Sequence, residues 1–297
     1  MPSAEHEAFV ALLQAAPAVT EAPSLAEQRQ NYDAMLGNNP VAEDVVIEST
    51  TVADCAADWV STPNCDQSRA LLYFHGGGYV IGSNIGYREF AGRLARATGI
   101  RTLVLNYRLA PEHPFPAAVD DAAAAYRWLL ASGFTPDRIM LAGDSAGGGL
   151  VLAALLALRD AGDALPAGGV SISPWVDLAC TGESNLPGAV DDPLIAEGTL
   201  ESMRDQYAPD SATDPLVSPL YAELAGLPPL FVLAGTREVL IDDAVRLVER
   251  ARAAGLDVEY FEGADLMHVW PVMVPGAPES EDALAQIAAF TAKRCPG

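Results

Sequence analysis

The chain has 297 residues, half of them hydrophobic, and a formal charge of −23 from 40 acidic and 17 basic residues. This balance disfavours nucleic acid, whose affinity depends on neutralised phosphates, and it disfavours docking on anionic lipid. No apolar run is long enough to span a membrane, and the acidic N-terminus lacks the basic start of a secretory signal. We therefore expect a cytoplasmic protein with ample material for an α/β core.

The cysteine pattern predicts free thiols. No C-x-x-C pair is present, so neither a zinc ribbon nor a thioredoxin-type motif is indicated. Cys55 and Cys65 lie close enough in sequence to bridge in an oxidising compartment, but reduced thiols are the rule in the cytosol. No H-E-x-x-H or comparable ligand pair occurs, so we expect neither a metal nor another cofactor. The cysteines are Cys55, Cys65, Cys180 and Cys295.

Residues 1–40 are predicted to form two helices. In the first, apolar residues recur at helical spacing and predict one buried stripe, formed by Phe9, Leu12, Leu13 and Ala16. The second helix begins with a capping box, Ser24 to Glu27. Because this segment precedes every strand signal, it is either a packed appendage or a lid over the site.

A glycine-rich loop follows a buried strand. Residues 41–70 read as an edge hairpin, and the strand 70–74 then runs into His75-Gly76-Gly77-Gly78-Tyr79. Glycines at this position let backbone amides face outward without side chains in the way. The spacing fits neither a P-loop nor a dinucleotide fingerprint. The remaining interpretations are an oxyanion-binding loop, which we favour, and a plain linker.

The loop at 106–116 contains three prolines, which make it stiff. Arg108, Glu112 and His113 could pair within it. We interpret these three residues as a structural brace.

The sequence Gly143-Asp144-Ser145-Ala146-Gly147 connects an apolar strand, 138–142, to a small-residue helix, 146–156. A strand, a tight turn and a helix with serine at the apex are typical of a nucleophile elbow. The apex is strained, so its neighbours must be small. The alternative is an ordinary strand-to-helix turn that contains a serine.

The rest of the chain alternates strands and helices, which predicts a parallel sheet covered on both faces. The polar stretch 181–215, with one short helix at 198–207, is a long insertion of the kind that often forms a lid. Met203 and Tyr207 are its candidates to reach a pocket. Further strands are predicted at 169–173, 228–235 and 257–261, and a final helix begins at Ser280.

A serine nucleophile needs a base and an acid that orients the base. On this type of elbow the chain order is serine, acid, histidine. Only His268 among the four histidines follows Ser145. Glu238, just past the strand 228–235, is the favoured acid, and Asp242 is the alternative, although a role as helix N-cap explains Asp242.

Backbone amides must stabilise the negative charge that develops on the substrate oxygen. We assign this oxyanion hole to the amides of Gly76, Gly77 and Ala146. Neighbouring residues of the two motifs are candidates for substrate binding: Gly78, Tyr79 and Asp144.

Three motifs together resemble the bacterial hormone-sensitive-lipase family of α/β-hydrolases, over about residues 45–293. They are the sequences at 75–78, 107–113 and 143–147. The resemblance implies an α/β-hydrolase fold with a mostly parallel eight-stranded sheet and a helical cap. Within a single catalytic domain, 1–297, the cap segments would be 1–45 and 183–215.

The resemblance also implies hydrolysis of carboxylic esters, usually with short acyl chains. The sequence leaves the oligomeric state open between a monomer and a homodimer. One departure is the sequence Glu238-Val239-Leu240-Ile241-Asp242, where most family members have Asp-x-Leu-x-Asp. The glutamate form resembles monoterpene ε-lactone hydrolases. The predicted function is therefore a serine esterase acting on a small ester, with lactone hydrolysis or amide hydrolysis as alternatives. A binding protein that keeps the fold without the chemistry is disfavoured because all three triad residues are present.

Overall fold

The computed structural model describes residues 1–15 and 23–297. The strands are β1 Val46–Val52, β2 Cys55–Ser61, β3 Asp66–Phe74, β4 Ile100–Leu105, β5 Ile139–Asp144, β6 Gly168–Ile172, β7 Leu230–Arg237 and β8 Val258–Met267. The helices are α1 Ala4–Gln14, α2 Leu25–Gly37, α3 Arg88–Thr98, α4 Ala117–Ala131, α5 Ala146–Ala161, α6 Thr199–Tyr207, α7 Ile241–Ala253, α8 Trp270–Met273 and α9 Pro278–Arg294. In these described parts of the chain, no helix has the length and apolar character needed to cross a membrane.

The described strands form one eight-stranded sheet in the order β1-β2-β4-β3-β5-β6-β7-β8. The pairs β1–β2 and β2–β4 are antiparallel, and all other pairs are parallel. The predicted fold class is confirmed. Because the parallel strands share one direction, their carboxyl ends meet at one edge, where ligands bind in open α/β sheets.

Helices cover both faces of the sheet, and two apolar cores result. Alternate residues of β3 contribute to the two cores. Leu72 belongs to the core that α4, α5 and α7 cover, whereas Leu71 belongs to the core that α3 and α9 cover. Both faces of β3 are apolar, which is why the central strands read as continuous hydrophobic runs.

The N-terminal helix buries only part of the predicted stripe. Phe9 and Leu13 are half-buried against the core beside the fully buried His6 and Val10, whereas Leu12 is 67% exposed. The prediction was therefore wrong for Leu12, and Ala16 lies outside the described residues. The periodicity was misleading because a polar residue, His6, is the buried contact. The capping box of α2 is confirmed, with both reciprocal hydrogen bonds between Ser24 and Glu27.

The loop at 106–116 is braced from outside rather than internally. The guanidinium of Arg108 binds the carboxylate of Asp121 in α4, with the shortest distance 2.7 Å. Glu112 accepts two hydrogen bonds, at 2.8 and 2.7 Å, from Arg29 in α2. The predicted pairing within the loop was wrong, because each charged group found a partner on a neighbouring helix.

The start of α5 lies directly against the backbone of β3. A methyl group at Gly147 would fall on the carbonyl oxygen of Phe74, and one at Gly143 would fall on the carbonyl oxygen of Gly147. Backbone atoms cannot move aside as a flexible side chain can. The two glycines of the elbow are therefore required by the close approach of strand and helix.

We predict that Gly147→Ala lowers the free energy of unfolding by more than about 2 kcal/mol, because the added methyl overpacks against backbone. Urea unfolding measures it. Gly37→Ala is the matched control, since a methyl group there meets nothing within 4 Å. That control should stay within about 0.5 kcal/mol of the wild type. Equal stability of the two variants would contradict this account of the elbow.

Candidate active site

Ser145 occupies the sharp turn between β5 and α5. Its φ and ψ angles are 54° and −122°, a conformation that a non-glycine residue rarely adopts. The turn is held by backbone hydrogen bonds: the Ser145 amide donates to Ile172 at 2.8 Å, and the Ser145 carbonyl accepts from Trp175 at 3.0 Å. The strained backbone thus fixes the serine at the carboxyl edge of the sheet, as a nucleophile elbow does.

His268 and Glu238 form a buried pair at the same edge. Nδ1 of His268 lies 2.8 Å from Oε2 of Glu238, and the other carboxylate oxygen accepts from the Gly235 amide at 3.1 Å. The two side chains are 3% and 0% exposed. Because the carboxylate can only accept, the proton of the neutral ring is on Nδ1 and the lone pair is on Nε2.

The environment of the pair shifts both pKa values. Burial by itself would lower the pKa of His268, but the hydrogen bond and the charge of Glu238 outweigh burial and raise it above its usual value. Burial raises the pKa of Glu238, and the contact with His268 limits that rise. An imidazole whose pKa is raised by an adjacent carboxylate is a stronger base towards a hydroxyl group.

Asp242, the alternative acid, has another partner. Its Oδ2 accepts from the Ser184 amide at 2.9 Å. The expected role of Asp242 as N-cap of α7 was wrong: Leu240 occupies that position, and no side chain caps the helix. Asp243 instead accepts from the backbone of the segment after β6. Both carboxylates hold loops instead. At the start of α7, the amide of Ile241 donates to the Glu238 carbonyl at 3.2 Å and the amide of Asp242 donates to the Ser184 hydroxyl at 3.4 Å.

The glycines of the loop at 75–79 differ in what their backbone amides contact. The Gly76 amide donates to Oδ1 of Asp144 and to the Tyr87 hydroxyl, both at 3.0 Å, so it is used inside the protein. Gly77 and Gly78 line a cavity together with Ser145. Among the described residues, the amides of Gly77, Gly78 and Ala146 have no hydrogen-bond acceptor. The structure therefore does not support Gly76 as an oxyanion donor.

The cavity has a volume of about 190 Å³. Ser145 and His268 both line it, together with residues from the two predicted cap segments. These cap residues are Tyr32 and Met35 of α2 and Leu194, Ile195, Thr199, Leu200 and Met203 of the insertion. Among the described lining residues, His268 is the one side chain with an acidic or basic group. The residues that the cap segments contribute to the lining are mostly apolar.

Three residues singled out in the sequence do not line this cavity. Asp144 is fully buried, and its carboxylate accepts from Tyr73, Tyr87 and Gly76. Tyr79 stacks on Tyr207, with the ring centroids 3.9 Å apart. The candidate substrate roles of Asp144 and Tyr79 were therefore wrong, and Tyr207 does not reach the pocket. Met203 does reach it, and its sulfur lies where a side chain at Gly78 would be.

Two residues near the site were missed in the sequence. Nε2 of His6, on α1, accepts from the Met267 amide at 3.1 Å, one residue before His268. Asp192, in the insertion, accepts from the Val239 amide at 3.0 Å, one residue after Glu238. Neither belongs to a motif. The tertiary fold joins His6 to the loop of His268 and Asp192 to the loop of Glu238, across long separations in the sequence.

Four cysteines are free thiols, so the possible Cys55–Cys65 bridge is not formed. Cys65 instead donates towards the Ala95 carbonyl, with Sγ 3.5 Å from the oxygen.

Comparisons with known proteins agree with this geometry. Residues 71–272 match the family described as having the alpha/beta hydrolase fold. An acetyl-hydrolase of Streptomyces hygroscopicus is 47% identical over 81% of this chain and 80% of the relative. An esterase of Acinetobacter venetianus is 35% identical over 75% of this chain and 74% of the relative.

The crystal structure of an esterase from the bacterial hormone-sensitive lipase family superposes with a TM-score of 0.94 at 44% identity, covering 99% of both chains. The chain thus belongs to the bacterial hormone-sensitive-lipase family of α/β-hydrolases. The predicted enzyme class, a serine carboxylesterase, is confirmed.

We predict a pH-dependent contribution of His75 to stability. Burial lowers its pKa from 6.5 to about 4, so the unfolded chain binds a proton that the folded chain excludes. The stabilisation that His75 contributes to the folded protein is fully present above about pH 6.5. It decreases by about 3 kcal/mol as the pH falls towards about 4.

Urea unfolding at about pH 7 and about pH 4 tests this, because His75→Phe removes the titration and should flatten the pH dependence. His113→Phe, at an exposed position, is the control and should keep the wild-type slope. An unchanged slope in His75→Phe would contradict the prediction.

Proposed function

We propose that this protein hydrolyses carboxylic esters through an acyl-enzyme, with Ser145 as nucleophile, His268 as base and Glu238 as the acid that orients the base. The observation that carries the proposal is the buried 2.8 Å contact between Nδ1 of His268 and Glu238, at the edge of the cavity that Ser145 lines. It leaves Nε2 free to accept the serine proton.

In the first half-reaction, the proton of Ser145 moves to Nε2 of His268 while Oγ forms a bond to the ester carbonyl carbon. The tetrahedral intermediate then loses the alcohol, whose oxygen takes that proton from His268. In the second half-reaction, water gives a proton to His268 and attacks the acyl carbon. The proton returns to Oγ as the acid is released.

We assign the oxyanion hole to the amides of Gly77, Gly78 and Ala146. The first two line the cavity, and Ala146 begins the helix that follows the nucleophile. The helix dipole adds a favourable field at that position. This assignment replaces Gly76, whose amide donates to the buried carboxylate of Asp144.

The cavity favours a small, neutral substrate. Its volume of about 190 Å³ and its apolar outer wall suit a short acyl group. The charge of −23 also disfavours anionic esters. We propose that the segments 1–45 and 183–215 act as the cap of a single domain, because α2 and α6 supply this wall. Lactones contain the same ester group, so a substrate panel with lactones and amides decides between the alternatives.

Ser145→Ala should lower the hydrolysis of p-nitrophenyl acetate by at least about 10⁴-fold, because no other group can carry the acyl intermediate. The variant should also lose covalent labelling by a fluorophosphonate. Ser132→Ala, at an exposed position after α4, is the matched control and should keep full activity. Substantial activity in Ser145→Ala would exclude the proposed mechanism.

Glu238→Gln should lower kcat by about 10²–10⁴-fold, because the imidazole loses the carboxylate that fixes its tautomer. Since that carboxylate raises the pKa of His268, the acid limb of the kcat/KM profile should also move to lower pH. Asp242→Asn, which keeps an acceptor for the Ser184 amide, should cost less than about tenfold. The reverse ranking of the two variants would make Asp242 the acid.

A further inference from the structure

The insertion between β6 and β7 is fastened to the loop that carries Glu238. We call residues 235–242 the acid loop. Ser184 donates through its hydroxyl to the Val239 carbonyl at 2.6 Å and through its amide to Asp242 at 2.9 Å. Oδ2 of Asp192 accepts from the Val239 amide at 3.0 Å. The two polar groups of Val239, directly after the catalytic acid, are thus both held by the insertion.

The same carboxylate shapes the wall of the cavity. Oδ1 of Asp192 accepts from the amides of Leu194 and Ile195, at 2.8 and 3.0 Å. Leu194 and Ile195 both line the cavity that contains Ser145. One carboxylate therefore connects the substrate wall to the acid loop through three backbone amides.

The charge of Asp192 also acts on the catalytic pair. It raises the pKa of both His268 and Glu238, as a nearby negative charge does. The other carboxylates that act on His268 are Glu238 and Asp144. An insertion residue thus contributes to the field at the base as well as to the geometry of the acid.

We propose that Asp192 is a positioning residue of this esterase, which holds the acid loop in register with the wall formed by Leu194 and Ile195. The proposal rests on the proposed triad. The plain alternative is that Asp192 only stabilises its own turn, as aspartates commonly do by accepting from amides two or three residues ahead. That alternative accounts for the hydrogen bonds that Oδ1 accepts from Leu194 and Ile195. It assigns no catalytic consequence to the hydrogen bond between Oδ2 and the Val239 amide.

Asp192→Asn separates the two contacts. Its carbonyl oxygen can still accept from Leu194 and Ile195, whereas its NH₂ group would face the Val239 amide, so two donors would oppose each other. We expect kcat to fall by about 10- to 100-fold, as for other small displacements of a catalytic group, with KM for p-nitrophenyl acetate nearly unchanged. The acid limb of the pH profile should move to lower pH, because a negative charge near His268 is removed.

Asp192→Ala removes both contacts, so KM should rise as well as kcat fall. Asp205→Asn is the matched control. The side chain of Asp205, also in the insertion, is 61% exposed and pairs with its neighbour Arg204, and such surface pairs contribute little. Its kcat, KM and pH profile should equal those of the wild type. If Asp192→Asn does not fold, Asp192→Ser gives the same test, because a serine hydroxyl can cap the turn but is too short to reach Val239 as well.

The proposal is overturned if Asp192→Asn keeps wild-type kcat and pH profile, or if it lowers the melting temperature and kcat while the pH profile stays in place. The second result would make Asp192 a purely structural residue. A failure of the proposed function is visible separately, because wild-type enzyme would then neither turn over p-nitrophenyl acetate nor be labelled at Ser145 by a fluorophosphonate.

Discussion

The carboxylate of Asp144 holds together the nucleophile elbow and the glycine loop, on which the site depends. It lies directly before Ser145, is fully buried, and accepts from the Gly76 amide at 3.0 Å and from Tyr73 at 2.7 Å. Burial raises its pKa to about 6, and the hydrogen bonds from Tyr73 and Tyr87 limit the rise. A buried charge without such donors would be far too costly. The nucleophile elbow and the glycine loop are consequently held together by one group, which leaves Gly77 and Gly78 facing the cavity.

The predicted cap segments reach this arrangement by three independent routes. The Tyr32 hydroxyl, on α2, lies 3.0 Å from the Tyr87 hydroxyl, which in turn donates to Asp144. His6 of α1 accepts from the amide before His268, and Asp192 accepts from the amide after Glu238. Each contact ends on the loop of a different residue of the proposed triad. Because polar contacts made in a buried setting fix position, these segments help to hold the loops of Ser145, His268 and Glu238 as well as to line the pocket.

Much of the candidate site could be predicted because its residues belong to short motifs or follow predicted strands. Ser145 is identified by the glycines on each side, which the close approach to β3 requires. His268 and Glu238 follow from chain order and from their places after strands, since strands and their direction are readable from hydrophobic patterning. Individual contacts were less predictable. The buried face of α1 was misjudged because His6 replaces an apolar residue there, and Asp144 was taken for a substrate contact because its position beside the serine does not reveal which way its side chain points.

The amino-acid sequence alone was enough to predict the fold class and the family, and it supplied the candidates for nucleophile, base and acid. Those predictions depend on the alternation of strands and helices along the chain, on small residues at tight turns and on the spacing of motifs, all of which can be read in the sequence. Three features became visible only in the folded protein: which glycines line the cavity, the contact of Asp242 with Ser184, and the contacts of His6 and Asp192 with the loops that carry His268 and Glu238. These contacts join residues far apart in the chain, and they exist only once the sheet has brought its loops to one edge.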